Sequence, residues 1–273
     1  MDDLMFYLHS PFFWRALAVG ILVALSSSLL GVNLILRRLS FMGDGLSHVA
    51  FGAMAVAGLL NLAGASIYLA LPVTAVCAVF LLKGSKGEGA TGGDAALAML
   101  SVGAMAIGYL TMNLFPSSAN VSGDVCTSLF GASSLITLTS GETWLSGGLC
   151  VFVLLFQIFT YHRSFDIAFD EQFALACRSP ARLLNFFSAI VTAIVIVVSM
   201  RLVGALLVSS LLVFPGVSAM RLARSFKGVC VIAALSGVVC AFLGITIALF
   251  ASTSVGATIV LVNIAFYLLC RLR

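Results

Sequence analysis

Apolar runs of membrane-crossing length, cut by short charged or Gly/Pro-rich breaks, constrain this chain more than any other feature. About 20 apolar residues in a helix cross roughly 30 Å of hydrocarbon. Cutting the sequence at its breaks gives nine candidate spans, near residues 14 to 36, 44 to 63, 66 to 82, 95 to 115, 143 to 161, 182 to 199, 202 to 220, 229 to 250 and 255 to 270. If the short turn after the second or the sixth is only a break within a hairpin, the number is eight. Hydrophobic residues make up 62% of the chain and charged ones 9%, so a water-facing fold would lack the polar side chains to cover itself. The expected fold is all-α: a polytopic membrane bundle of eight or nine transmembrane helices, a single transmembrane domain over residues 1–273, with no room expected for a soluble catalytic domain.

Charge placement gives the expected topology. With the N-terminus outside and the C-terminus inside, Arg37, Arg38, Lys83, Lys86, Arg163, Arg178, Arg182, Arg221, Arg224, Lys227, Arg271 and Arg273 all fall on the cytoplasmic side, and only Arg15 and Arg201 lie near the outer face. That asymmetry obeys the positive-inside rule. The same scatter in ones and twos makes a nucleic-acid surface unexpected despite a net charge of +4. Asp2 and Asp3 stand where a signal peptide would be basic, so the first helix is expected to be retained. Cys77, Cys126, Cys150, Cys177, Cys230, Cys240 and Cys270 mostly sit singly in apolar runs without a CxxC pair, and read as small buried hydrophobes.

Two segments between spans are more than turns. Residues 116 to 142, expected outside, carry Asp124 and Glu142 among few charges, in the manner of an interfacial or re-entrant helix. Asp124 and Glu142 read as solvated loop charges, or as contacts for a delivery protein. Residues 162 to 181, expected inside, place Phe165, Phe169 and Phe173 four apart on one helical face beside Asp166, Asp170 and Glu171. A short cytoplasmic helix with an acidic polar face suits a protein partner better than anionic lipid headgroups.

Ionisable residues inside a span are expensive, and so are functional candidates. The clearest pair is Asp44 and His48 in SFMGDGLSHVAFGAMAVAG, four apart and hence on one helix face. A carboxylate with an imidazole suits Zn²⁺, Mn²⁺ or Fe²⁺. Two ligands are too few, but a second copy across a two-fold axis would supply two more. The other reading makes Asp44 a helix N-cap and His48 a packing residue beside it. Gly43, Gly45, Gly52, Ser47 and Ala50 allow close helix packing under either reading. His9 and His162 fall near opposite faces, away from this pair. Glu88 and Asp94 flank a Gly-rich turn, with Asp94 expected to cap the fourth helix. Pro215 is expected to kink the seventh span, with Ser209 and Ser210 satisfying the backbone groups it frees.

These motifs resemble those of the permease subunits of ABC transporters for zinc, manganese and iron(II) uptake, and the likeness runs over nearly the whole chain. SFMGDGLSHVAFG is similar to the stretch after the family's first helix, with the Asp and His at matching positions, and RLVGALLVSSLLVFPGVSAMRLA is similar to its valine-glycine-leucine helix. DVCTSLFGASSLITLT resembles the outer LFG segment and SFDIAFDEQFALA the cytoplasmic coupling helix. The resemblance implies that Asp44 and His48 belong to the metal pathway. It also implies that Phe169, Asp170, Glu171 and Phe173 dock into a separate ATPase subunit, that an extracytoplasmic protein delivers the metal, and that the permease is a homodimer in the bacterial cytoplasmic membrane. GLSH and FG favour zinc as cargo, with manganese or iron next, and no permanently bound cofactor is expected. GEGATGGDAALAMLS, Phe51 and Ala53 depart from the family pattern and bear on the substrate more than on the fold.

No GxxxxGK[ST] loop is present, so ATP would be hydrolysed on another chain. An ion-coupled secondary transporter, the main rival, would show further acidic positions near the midplane. An intramembrane metalloprotease would need an HExxH-like pair that three dispersed histidines cannot form. A structural scaffold would leave Asp44 without a purpose.

Overall fold

A computed structural model describes residues 11–37, 39–59, 66–84, 91–114, 139–169, 181–251 and 253–272. Among them the chain forms helices only: α1 Pro11–Leu36, α2 Met42–Leu59, α3 Ser66–Gly84, α4 Thr91–Leu114, α5 Ser140–Phe169, α6 Ala181–Val203, α7 Ala205–Leu222, α8 Phe226–Ala251 and α9 Val255–Leu272. Each expected span has its helix. Over their described residues seven are long and apolar enough to cross a membrane; α2 falls short, and of α3 the described stretch Tyr68–Phe80 is apolar but shorter. In α2 the cause is visible in the sequence, where Asp44, His48 and several glycines dilute the apolar residues. The protein is thus a polytopic all-α membrane bundle, the architecture that satisfies backbone polar groups within each segment when water is absent. Isolated hydroxyls follow the same logic, as when Ser28 donates to the Ala24 carbonyl one turn back in α1.

The chain clusters into two compact units, one of Met1–Val32, Cys126–Leu155 and Ser199–Arg273, the other of Asn33–Val125 and Phe156–Val198. In the first, α7, α8 and α9 pack on one another, and α1 joins them through small residues. A Cβ at Gly31 would lie 1.9 Å from the Leu212 carbonyl oxygen of α7, and one at Gly237 of α8 would lie 2.8 Å from Ser28 Oγ. Cys230 and Cys240 on α8, and Cys150 on α5, are buried as expected, whereas Cys77 and Cys270 are half-buried; Cys126 and Cys177 lie outside the described residues. In the second unit, α2 packs on α3 and α4, and Ile167 near the end of α5 meets Ala181 and Leu184 of α6.

Several local expectations are corrected. The cytoplasmic segment after the fifth span does not begin as a separate helix, because α5 runs on unbroken through Phe169. At 30 residues it is about 45 Å long, more than the hydrocarbon needs. Asp170, Glu171 and Phe173 lie outside the described residues, as do Glu88, Asp124 and His9. Asp94 is the fourth residue of α4, not its cap. Glu142 is not a loop charge: its carboxylate accepts from the Thr139 N–H (2.9 Å) and hydroxyl (3.0 Å), while the Thr139 hydroxyl accepts from the Glu142 N–H at 3.4 Å. Thr139-Ser-Gly-Glu142 is therefore a capping box that opens α5.

Pro215 lies inside α7, where its missing N–H leaves the Leu211 carbonyl without its helical donor. Ser209 and Ser210 do not supply the replacement. Their hydroxyls donate to Leu206 and Leu207, at 3.1 and 2.9 Å, one turn too early, because a serine reaches back only to its own preceding turn. The junction before α7 is one residue. Gly204, at φ 98° and ψ 154°, occupies a region that L side chains avoid, and so separates α6 from α7 without a loop.

Candidate functional site

α2 opens with Phe41 outside and Met42 as its first residue, so Asp44 is third in the helix. The expected alternative role as N-cap is thereby excluded by position, although a carboxylate in the first turn still gains about 0.3–1 kcal/mol from the helix dipole. One turn on, His48 lies on the same face, with Nε2 3.6 Å from Asp44 Oδ2. The two side chains differ in environment: that of Asp44 is 55% exposed, that of His48 only 18%. Nδ1 of His48 is buried and has no hydrogen-bond partner, a costly state for a ring nitrogen in an apolar setting.

Small residues hold this helix against α4. Added Cβ atoms at Gly45 and Gly52 would come within 2.5 Å of Leu97 Cδ1 and of the Ala104 carbonyl oxygen, and one at Gly108 would come within 2.7 Å of the Phe51 ring. The sequence expectation of a close-packing face holds, and it faces α4 within the same unit. Between the two helices lies a cleft of about 340 Å³, lined by Phe41 just before α2, Asp44 and Gly45 of α2, and Leu97, Ala98, Ser101 and Val102 of α4. Among the described residues of its lining, Asp44 is the one ionisable group.

This spacing is that of a carboxylate and an imidazole in contact one helical turn apart, and it also fits two ligands of one metal ion. Ligand bonds of about 2.0–2.2 Å at near-tetrahedral angles place neighbouring donor atoms about 3.4 Å apart, within a few tenths of the separation found. No group of three or more metal-donor side chains occurs among the described residues, so a pair on one chain is the largest donor set present there.

A sequence profile of the ABC 3 transport family matches residues 9–273. The chain belongs to the ABC 3 transport family. Similar relatives include the manganese transport system membrane protein MntC of Halalkalibacterium halodurans, 27% identical over 96% of this chain and 88% of the relative. The chelated iron transport system membrane protein YfeD of Yersinia pestis is 26% identical over 94% of this chain and 84% of its own length. Among solved structures, PsaBC from Streptococcus pneumoniae in complex with Fab superposes with a TM-score of 0.83 at 24% identity, covering 96% of this chain and 92% of that one; this supports the fold.

Two polar contacts in the second unit of this ABC 3 family member went unread in the sequence. Asn33 of α1 donates to Gln157 of α5 at 3.0 Å, both buried, with Asn33 Oδ1 and Gln157 Nε2 left unpaired. Arg37, four residues on, donates to the Asn185 side chain of α6. For Asn33, Gln157 and Asn185 the available signal was an uncharged amide inside an apolar run, which a search restricted to ionisable residues passes over. Of the sequence-derived site residues, Asp44 and His48 come together on α2. Phe169 stands at the end of α5 with its side chain 85% exposed, stacked on Phe165 at 6.3 Å between ring centroids.

Proposed function

We propose that this chain is the membrane-spanning permease of an ATP-driven importer for a divalent transition metal, acting as a single permease domain. Asp44 and His48 take the cargo ion in transit. The observation that carries this reading is the Asp44–His48 pair at 3.6 Å with a buried, unpartnered imidazole nitrogen, on a helix of a chain that belongs to an ABC transport family. A second copy related by a two-fold axis completes the ligand set with its own Asp and His, giving four donors that bind transiently and release, as conduction requires.

Manganese is placed first and iron(II) second, because relatives over nearly the whole chain are named for manganese and chelated iron; the zinc preference of the sequence motifs draws no support from those names. The partners are a cytoplasmic ATPase subunit, docking on the aromatic end of α5 and the Asp170–Phe173 region beyond it, and an extracytoplasmic metal-binding protein. The chain itself performs no catalysis and holds no resident cofactor. Its place is the bacterial cytoplasmic membrane, N-terminus outside and C-terminus inside.

The test is purification from cells that express the whole transport system. An ATPase subunit is expected to come out with the permease, and the purified assembly to bind one Mn²⁺ per two permease chains. A permease that comes out alone, with uptake driven by an ion gradient, would establish a secondary transporter instead.

A further inference from the structure

The α7–α9 group ends in cations that, among the described residues, no carboxylate balances. Three residues connect α7 to α8 and three connect α8 to α9, so each helix returns antiparallel to the one before, and the three pack together. The C-termini of α7 and α9 and the N-terminus of α8 therefore share one end. That end carries Arg221, Arg224, Lys227 and Arg271, all exposed. The Arg221 guanidinium lies 5.8 Å from the centroid of the Tyr267 ring, and Tyr267 packs on Phe214 of α7, which brings the last turns of α7 and α9 side by side. Arg224 and Lys227 flank Ser225, whose hydroxyl accepts the Gly228 N–H at 3.2 Å and caps α8.

Arg221 and Arg271 stand in the last turns of their helices, where a cation is favoured, but Lys227 stands in the first turn of α8, where the helix dipole opposes it. No Asp or Glu follows Glu171 in the sequence, and none of the four cations forms an ion pair among the described residues. The surrounding residues decide what anion fits. Met220 and Leu222 bracket Arg221, while Leu269 and Leu272 accompany Arg271, and all four are exposed apolar side chains. Cations interleaved with exposed apolar side chains suit a phospholipid, which offers a phosphate to the one and acyl chains to the other.

We infer that Arg221, Arg224, Lys227 and Arg271 form a binding site for the phosphate headgroup of an anionic phospholipid, whose acyl chains lie along Leu222, Leu269 and Leu272. The site is distinct from the Asp44–His48 pair and does not depend on which ion the protein moves.

Native mass spectrometry of the intact protein in detergent tests this, with dioleoylphosphatidylglycerol or dioleoylphosphatidylcholine added. The anionic lipid is expected to be retained at concentrations at least tenfold lower than the zwitterionic one. That preference is expected to vanish in R221Q/R224Q/K227Q/R271Q and to persist in R15Q/R201Q, which removes cations elsewhere. The smaller R224Q/K227Q variant, confined to the connector and the first turn of α8, gives a partial loss if the fourfold variant does not fold. Equal retention of both lipids, or equal loss in R15Q/R201Q, would overturn the site as diffuse charge attraction. Displacement of the lipid by millimolar inorganic phosphate would make it a phosphate site. Unchanged lipid retention in the fourfold variant, with loss of ATPase co-purification, would make it a protein contact.

Discussion

Single atoms decide much of this fold, and glycine positions show it most clearly. At Gly31 the missing Cβ makes room for the Leu212 carbonyl of α7, whose neighbour Leu211 has lost its donor to Pro215. Gly31→Ala is expected to force α1 and α7 apart and to cost about 1–3 kcal/mol, read as a lowered thermal midpoint in detergent. Gly103→Ala, where nothing lies within 4 Å of the new methyl, is expected to leave the midpoint unchanged or slightly raised. An equal loss in both would refute the packing argument. Gly204→Ala is expected to cost a similar ~1–3 kcal/mol for a different reason, the φ of 98°. Sequence alone marked Gly45 and Gly52 as small residues for packing. It did not distinguish them from Gly103, because a close approach depends on the partner helix and not on the residue itself.

At the scale of elements, helix ends carry what the apolar pattern leaves out. The spans were legible because twenty apolar residues have few other uses, but their boundaries rest on hydrogen bonds at the ends. Thr139 and Glu142 form a capping box whose T-x-x-E signature stood in the sequence and was read as loop charge. Thr139→Ala is expected to cost about 1 kcal/mol, visible as faster amide exchange confined to the first turns of α5; uniform change along α5 would contradict a local cap. The other end of α5 projects Phe165 and Phe169, 45% and 85% exposed. Sequence periodicity grouped these rings on one face but assigned them to a separate short helix, since the polar YHR at 161–163 looks like a boundary and in fact lies within a continuous helix. Phe169→Ala is expected to leave the thermal midpoint unchanged while reducing co-purification of the ATPase several-fold. Retained co-purification would remove Phe169 from the docking surface.

At the scale of the whole molecule, a membrane bundle carries one pair of candidate donors. The bundle was legible from composition and spacing, and the pair from cost, since a carboxylate and an imidazole within an apolar helix need a reason. Sequence could not decide between a cap and a ligand for Asp44, a matter of two residues in where α2 begins. Nor could it reveal that the His48 ring nitrogen is buried without a partner, or that Asp44 opens on a cleft against α4. The uncharged Asn33–Gln157 contact was missed because amides carry little cost on the scales that flag charges. The most direct measurement is cellular accumulation of manganese, iron and zinc by elemental analysis, comparing the intact chain with Asp44→Ala and His48→Ala at matched membrane abundance. Both variants are expected to lose uptake of the same metal, manganese first, by at least about tenfold; unchanged accumulation of all three metals would rule out a metal site at this pair and leave it a structural feature of α2.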